Sequence, residues 1–234
     1  MLTKLANSIR NTPKKNILLL TLLFVSFVSI TVTGIIFKQT FFMIFPLYVS
    51  LFVGLLQSRA NRFAYLVGGL NCINYGIINI FVFKLYASAA SNLLFSLPLQ
   101  LFTFWSWNKR SYKQSVKFRS LRPRHWCILL SVITVGFVGV HFLLNLAGSN
   151  HSLLDNILTV VGLAVSILSL LSFREYSWFM LITGSLNLVL YIILATEDIA
   201  QITYTIYAIH SMISIVLQFF SVRKIYAEQR KIST

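Results

Sequence analysis

Asparagine and tyrosine recur at helical spacing inside the most apolar segments of this sequence. Asn71, Asn74 and Tyr75 stand at positions i, i+3 and i+4, and Asn79 continues the same helical face. Amide side chains offer both donors and acceptors of hydrogen bonds, and a tyrosine ring adds an apolar face. This combination predicts recognition of a small polar ligand that carries a ring.

The polar pattern occurs twice in the chain. Residues 68–78 read GGLNCINYGII, and residues 184–194 read GSLNLVLYIIL. A further match follows each copy, between ASNLLFSLPLQLF at 90–102 and AIHSMISIVLQFF at 208–220. The alignment pairs Asn71 with Asn187, Tyr75 with Tyr191, Asn92 with His210, and Gln100 with Gln218.

The repeated stripes predict one shared cavity between two units, lined by amides, hydroxyls and aromatic rings. For any single residue the alternative role is an ordinary hydrogen bond between helices, worth about 0.6–2 kcal/mol. For Trp178, which opens its span, the alternative is an interfacial aromatic belt. Ser166 is expected to lie outside the stripes, and Tyr207 could face either the cavity or the lipid. The predicted substrate-binding residues are Asn71, Asn74, Tyr75, Asn92, Gln100, Trp178, Asn187, Tyr191 and His210.

The sequence carries no pattern of a catalytic or metal site. It contains neither HExxH nor GxSxG, and its two cysteines, Cys72 and Cys127, form no CxxC or Cys/His group. We therefore expect no enzyme activity, no cofactor and no metal. We also expect no Asp or Glu inside a membrane span, where proton relays and cation sites usually rely on carboxylates, and this argues against active coupling.

Composition fixes the environment of these stripes. Of the 234 residues, 57% are hydrophobic and 11% are charged, which is too few charges to cover a soluble globule. Apolar runs of about 20 residues predict an all-α integral membrane protein with about eight spans. The first run exceeds the apolar core of a signal peptide and is expected to stay as a helix. The runs cover approximately residues 16–37, 40–57, 62–83, 87–107, 126–146, 153–172, 178–196 and 199–220.

Basic residues predict the orientation of the spans. Of the 20 Lys and Arg, 18 fall on the side of both termini and of the 108–125 loop, and Lys38 and Lys84 are the exceptions. The positive-inside rule therefore predicts that both termini are cytoplasmic. The net charge of +15 is explained by this bias and by attraction to anionic lipid, so no nucleic-acid partner is expected.

The repeat divides the chain into two three-helix units with one span between them. Three helices and one linker make an even number, so the second unit starts on the same side of the membrane as the first and the repeats are parallel. The predicted divisions are an N-terminal tail and extra helix at 1–39, a first repeat at 40–107, a basic loop and linker helix at 108–146, a second repeat at 153–223 and a cytoplasmic tail at 224–234.

Two stretches carry a resemblance to a known family. YGIINIFVFKLYASAASNLLFSLPLQLFTFWSWNKR at Tyr75–Arg110 and DNILTVVGLAVSILSLLSFREYSWFML at Asp155–Leu181 resemble the PnuC family of bacterial vitamin transporters, and the similarity covers roughly residues 40–223. The resemblance implies a SWEET-like 3+1+3 fold and a homotrimer in the inner membrane. It also implies facilitated diffusion of nicotinamide riboside, which a cytoplasmic kinase traps by phosphorylation.

The ligand stays open at this point, because relatives in the family are thought to take thiamine, riboflavin or deoxynucleosides. Riboside transporters show a WxxW pair at the start of the seventh helix, and here Trp178 is followed three residues later by Leu181. The alternative function is a noncatalytic membrane sensor or assembly factor that uses the polar stripes only for packing.

The resemblance, followed position by position, implies substrate-site roles for five residues. These are Asn92 and Gln100 in the first unit, and Trp178, Asn187 and Tyr191 in the second.

Overall fold

The computed structural model describes residues 16–147 and 151–233. Most of the predicted N-terminal tail, residues 148–150 and the last residue of the predicted C-terminal tail lie outside the described residues. The two ranges form eight helices and one short hairpin. The helices are α1 (Asn16–Ile36), α2 (Phe41–Gln57), α3 (Phe63–Ile78, continued by a π-helix at Asn79–Phe83), α4 (the consecutive segments Tyr86–Ala90, a π-helix at Ser91–Ser96, and Leu97–Lys109), α5 (Pro123–Ala147), α6 (Ser152–Leu170), α7 (Tyr176–Glu197) and α8 (Ile202–Ser233, after a 3-10 turn at Ile199–Gln201).

The described helices confirm a nearly all-helical membrane fold with eight helices. Among the described residues, six helices are long and apolar enough to cross a membrane. The other two are α2, which has 17 residues, and α4, which is less apolar. The division into two repeats around a linker stays a prediction.

The helices pack around a central space. α3 contacts both α2 and α4, and α7 contacts both α6 and α8. These two groups meet where α4 packs against α6 and where α8 packs against α2. α1 packs against α2 and α8, while α5 lies against α6 and buries none of its apolar window. The fold therefore directs one face of each of α3, α4, α7 and α8 toward the middle of the molecule.

Two π-helical segments interrupt the regular helices beside this central space. The one at Ser91–Ser96 has a cause in the sequence, because Pro98 lacks the N–H that would bond to the carbonyl of Leu94. π-helical turns are rare and occur frequently at functional sites. Asn79 begins the first segment and Asn92 lies in the second, so the irregular turns set the direction of two polar side chains.

A carboxylate lies inside one of the membrane-capable helices, so the expectation of spans without Asp or Glu is wrong. Asp155, in the first turn of α6, has 0% of its surface exposed. Its oxygens accept hydrogen bonds from the backbone N–H of Ala87 at 3.1 Å, from that of Ser88 at 2.9 Å and from the Ser88 hydroxyl. The first amides of a helix have no partners within that helix, and here a neighbouring helix supplies the acceptor that α4 needs.

The last helix continues well past its apolar run, which ends near residue 220. The segment that follows is rich in Lys, Arg, Glu, Gln and Ala, which are good helix formers. A hairpin in the basic loop, Ser111–Tyr112 paired with Ser115–Val116, lies against it. Gln229 donates to the carbonyl of Val116 at 2.9 Å, and the Lys113 ammonium lies 2.7 Å from Glu228. The hydrogen bond to Glu228 raises the pKa of Lys113 above its ordinary value.

Candidate functional site

A central cavity lies among the converging helices and consists of two adjoining lobes. The first lobe has a volume of about 280 Å³ and is bounded by α3, α4, α6, α7 and α8. The second lobe, of about 260 Å³, is bounded by α2, α3, α4, α6, α7 and α8. Tyr75, Asn92, Val165 and Tyr207 line both lobes. These four residues therefore mark the passage between them.

Polar side chains on all five bounding helices line the first lobe. Tyr75 and Asn79 stand one turn apart on α3, and Asn187 and Tyr191 stand one turn apart on α7. α4 contributes a row of short side chains at its irregular turn. The hydroxyl and amide residues of the first lobe are Asn79, Ser88, Ser91, Asn92, Ser96, Thr159, Thr183 and Asn187.

A chain of hydrogen bonds fixes Tyr75 at the passage. Asn74 donates to the Oδ1 of Asn71 at 3.1 Å, and Asn71 donates to the hydroxyl of Ser50 at 2.8 Å. Ser50 in turn donates to the phenol oxygen of Tyr75 at 3.1 Å. Through this chain, the Tyr75 hydroxyl accepts a hydrogen bond from α2 and is held at the passage.

Aromatic rings line the passage and the first lobe. The ring centroids of Tyr75 and Tyr207 lie 6.3 Å apart, and both residues line the two lobes. Tyr191 packs at 5.6 Å from Tyr204, whose hydroxyl donates to the carbonyl of Met43 at 3.0 Å. Because Tyr204 is anchored to α2, the ring of Tyr191 is held at the wall of the lobe.

Gln100 brings a second amide to the other lobe. Its Nε2 lies 3.3 Å from the sulfur of Cys72, and a β-carbon at Gly68 would lie only 2.7 Å from its Oε1. A larger residue at Gly68 would push the amide away, so the glycine permits the close approach of α3 and α4 at this point. The amide therefore stays at the wall of the second lobe, about two helical turns from Asn92.

The lining of both lobes is uncharged. Among the described residues, no Lys, Arg, Asp, Glu or His lines either lobe. The carboxylate of Asp155 lies behind the wall, where it is occupied by the amides and the hydroxyl at the start of α4. The arrangement offers amides, hydroxyls and tyrosine rings for binding, and it offers neither a nucleophile with an adjacent base nor a metal-ligand set.

Comparisons with known proteins assign this architecture to a family. A family model described as nicotinamide mononucleotide transporter matches residues 40–219, which is most of the chain. The chain belongs to this family, the PnuC transporters. The protein is therefore a multi-pass membrane protein of a transporter family.

Two relatives of the PnuC family illustrate the relationship. The nicotinamide riboside transporter PnuC of Neisseria mucosa is 30% identical over 118 residues, which cover 47% of this chain and 44% of that protein. The matched region thus spans less than half of the relative's length. The crystal structure of the vitamin B3 transporter PnuC superimposes with a TM-score of 0.77 at 19% identity, over 93% of this chain and 94% of that one. This likeness shows that the fold is shared.

The structure of this PnuC family member brings together six of the nine residues that the sequence nominated. Three others lie outside both lobes. Asn74 reaches the cavity only through its bond to Asn71. Trp178 lies at the start of α7, and its ring is 4.6 Å from that of Phe219. The six residues that line the lobes are Asn71, Tyr75, Asn92, Gln100, Asn187 and Tyr191.

His210 is the third residue outside the lobes. It is 2% exposed, and its Nδ1 lies 3.1 Å from the hydroxyl of Ser26, so it joins α8 to α1. Ser166, expected to lie outside the stripes, instead lines the second lobe. The short side chain of Ser166 follows Val165 at the cavity face of α6, where a small residue leaves room between the helices.

Several lining residues were not nominated from the sequence, and the most prominent is Tyr207, which was left open between the cavity and the lipid. It lines both lobes, but the repeat alignment places Ala89 opposite it, so the duplicated pattern gave no signal. The spacing of Tyr207 and Ser211 at i and i+4 on α8 could have indicated a further polar face. Ser88 and Thr183 were also missed, because isolated hydroxyl residues are common in membrane helices of any role.

Proposed function

We propose that this transporter carries nicotinamide riboside by facilitated diffusion through the central cavity. The observation that supports the proposal is the uncharged lining of amides, hydroxyls and tyrosine rings. Each lobe falls just short of the roughly 300–1,000 Å³ of small-molecule sites, and the two together lie within that range.

The chemical groups of nicotinamide riboside match those of the lining. Its pyridinium ring is cationic, and the faces of tyrosine rings attract cations. Tyr75 and Tyr207, which both line the passage, provide such rings. The ribose hydroxyls and the carboxamide both donate and accept hydrogen bonds. The amides of Asn92 and Asn187 also have both donors and acceptors, so they can form the complementary hydrogen bonds.

A phosphorylated ligand matches the lining poorly. The phosphate of nicotinamide mononucleotide carries between one and two negative charges, and buried phosphates are normally paired with Arg or Lys. The described residues that line the lobes include neither. We therefore infer that the riboside, rather than the mononucleotide, is the transported form.

The same lining supports passive transport. No titratable Asp, Glu or His faces either lobe among the described residues, and the buried carboxylate of Asp155 is already occupied by three donors. Accumulation of the substrate would then depend on a separate cytoplasmic kinase.

The proposal also includes a homotrimer in the bacterial inner membrane. Both termini lie in the cytoplasm in this proposal, because 18 of the 20 basic residues fall on that side of the predicted topology.

Uptake by reconstituted protein tests the transport mode. Proteoliposomes should take up labelled nicotinamide riboside until the internal and external concentrations are equal, and an imposed proton or sodium gradient should not change that end point. Enclosing a riboside kinase with ATP should raise the internal label several-fold above equality. Protein-free liposomes control for leakage. Accumulation driven by an ion gradient without a kinase would refute passive transport.

Substitution of Asn92 tests the site. Because its amide lines both lobes, Asn92→Ala should weaken binding of nicotinamide riboside at least about tenfold, as expected when a hydrogen bond worth about 1–3 kcal/mol is lost in a desolvated site. Titration calorimetry on purified protein measures the change. Asn108→Ala is the matched control, since Asn108 lies exposed on the same helix and outside both lobes. Thiamine, riboflavin and deoxynucleosides, the alternative substrates, are titrated in the same way for comparison. Equal affinity in both variants would place Asn92 in a packing role.

A further inference from the structure

A second concave site lies away from the central cavity, on the side that the basic residues predict to be cytoplasmic. It has a volume of about 850 Å³ and is enclosed by the end of the basic loop, the turn between α6 and α7, and the extended part of α8. Three arginines line it, Arg174 from the turn and Arg223 and Arg230 from α8. Glu175 is the one carboxylate among its described lining residues, so the site is positively charged.

Aromatic rings hold two of these arginines in place. The guanidinium of Arg223 lies 4.8 Å from the ring centre of Trp178 and 4.3 Å from that of Phe219. The guanidinium of Arg174 lies 4.3 Å from the ring centre of Tyr226. A guanidinium stacked on a ring keeps its edge N–H groups available, and their forked geometry matches the oxygens of a phosphate. In the described chain Arg223 has no carboxylate within ion-pair distance.

Glu175, which lines the same site, has a buried carboxylate oxygen without a donor among the described residues. Glu175 is 6% exposed, and its Oε1 accepts from the Ser120 hydroxyl at 2.9 Å and from Nε of Arg174 at 3.2 Å. Within the described residues, its buried Oε2 has no hydrogen-bond partner. Buried acceptors are normally satisfied, because an unmade hydrogen bond is unfavourable. Within the described residues, the site therefore combines a carboxylate oxygen without a donor and Arg223, which has no carboxylate within ion-pair distance.

The floor of the site is apolar and opens toward the lipid. Trp178 and Ile182 stand one turn apart on α7, and each is 49% exposed although it lies in a membrane-capable helix. Phe179 and Trp126 also line the site, and their ring centroids lie 6.0 Å apart. A tryptophan at the end of a span, next to arginines, is typical of the boundary between headgroups and acyl chains.

We propose that this site binds an anionic phospholipid whose headgroup carries a hydroxyl donor, as phosphatidylglycerol does. The phosphodiester contacts Arg223 and Arg174, a headgroup hydroxyl donates to Oε2 of Glu175, and an acyl chain lies along Trp178 and Ile182. Trp178, which the family resemblance assigned to the substrate, here belongs to a lipid site outside the transport cavity. This inference does not depend on which vitamin the cavity carries.

Lipid selectivity of the purified protein tests the proposal. Native mass spectrometry with mixed lipids should show phosphatidylglycerol retained about tenfold more than phosphatidylcholine of the same chains. Phosphatidylmethanol has the same charge but no headgroup hydroxyl, and it should be retained several-fold less than phosphatidylglycerol. In Glu175→Gln, phosphatidylglycerol and phosphatidylmethanol should be retained equally. Glycerol 3-phosphate and inorganic phosphate, which lack acyl chains, should not compete at millimolar concentration.

Two substitutions on α8 separate the site from general surface charge. Arg223→Gln should reduce retention of phosphatidylglycerol by about fivefold, which is the effect of one basic residue near a membrane surface. Lys224→Gln removes the same charge from the adjacent exposed position, outside the site, and should leave retention unchanged. Circular dichroism and size-exclusion profiles confirm that each variant is folded. An equal fall in both variants, no headgroup selectivity in the unsubstituted protein, or displacement by soluble phosphate would each overturn the proposal.

Discussion

Nicotinamide riboside should bind this protein at least about 100-fold more tightly than nicotinamide mononucleotide. The two ligands differ only in the 5′-phosphate, and the described residues that line the cavity include no cation to receive it. A charge moved from water into a site without a partner loses several kcal/mol of solvation, and about 2.7 kcal/mol corresponds to a factor of 100. Calorimetric titration of both ligands into purified protein measures the ratio.

A matched ligand separates the effect of charge from that of size. The 5′-O-acetyl ester of nicotinamide riboside adds a similar bulk at the same position without a charge. It should bind within about tenfold of the riboside, because an added uncharged group changes affinity far less than an unpaired charge. If the mononucleotide and the riboside bound with equal affinity, the uncharged lining would not be the ligand site. The inferred preference for the riboside would then be refuted.

Much of the fold and part of the site follow from the sequence, because a bilayer imposes simple constraints. Helices must satisfy their own backbone hydrogen bonds in lipid, so the apolar runs give the spans and their approximate ends. Polar residues at i and i+4 share one helical face, so Asn187 and Tyr191 were correctly grouped, as were Tyr75 and Asn71. The structure places all four of these side chains at the walls of the same cavity.

Other features depend on distances between helices, which periodicity does not encode. Trp178 and His210 belong to polar or aromatic stripes, yet each meets a neighbour that turns it away from the cavity: Arg223 and Phe219 for the tryptophan, Ser26 for the histidine. A stripe at helical spacing identifies a face but not what that face contacts. The exposed start of α7 and the contact between α8 and α1 were therefore indistinguishable in sequence from the cavity wall.

Asp155 shows the same limit for a single residue. In the sequence it lies next to the end of an apolar run and resembles an interfacial acid. In the structure it stands at the N-terminal end of α4, beside Ala87 and Ser88, which are 68 and 67 positions earlier in the chain. Only a contact between helices distant in sequence gives the carboxylate its role. That role also connects stability to the site, because Ser88 lines the first lobe.

Replacing Asp155 should therefore destabilise the protein strongly. In Asp155→Ala, the buried N–H groups of Ala87 and Ser88 lose their acceptor, and each unsatisfied group is expected to reduce the free energy of unfolding by about 1–3 kcal/mol. The expected total is about 2–6 kcal/mol, measured by denaturant titration of the purified protein in micelles. Asp155→Asn keeps one acceptor oxygen in place and should lose about half as much.

A second carboxylate predicted to lie on the same side of the membrane provides the control. Glu197 is 54% exposed and lies 3.2 Å from His151, and an exposed pair of this kind contributes between zero and about 1 kcal/mol. Glu197→Ala should therefore unfold almost as the unsubstituted protein does. Asp155→Ala should also weaken riboside binding, because the start of α4 that carries Ser88 into the first lobe loses its anchor, whereas Glu197→Ala should not. If Asp155→Ala were as stable as Glu197→Ala and bound the riboside normally, the carboxylate would not be what holds the irregular helix α4 at the cavity wall.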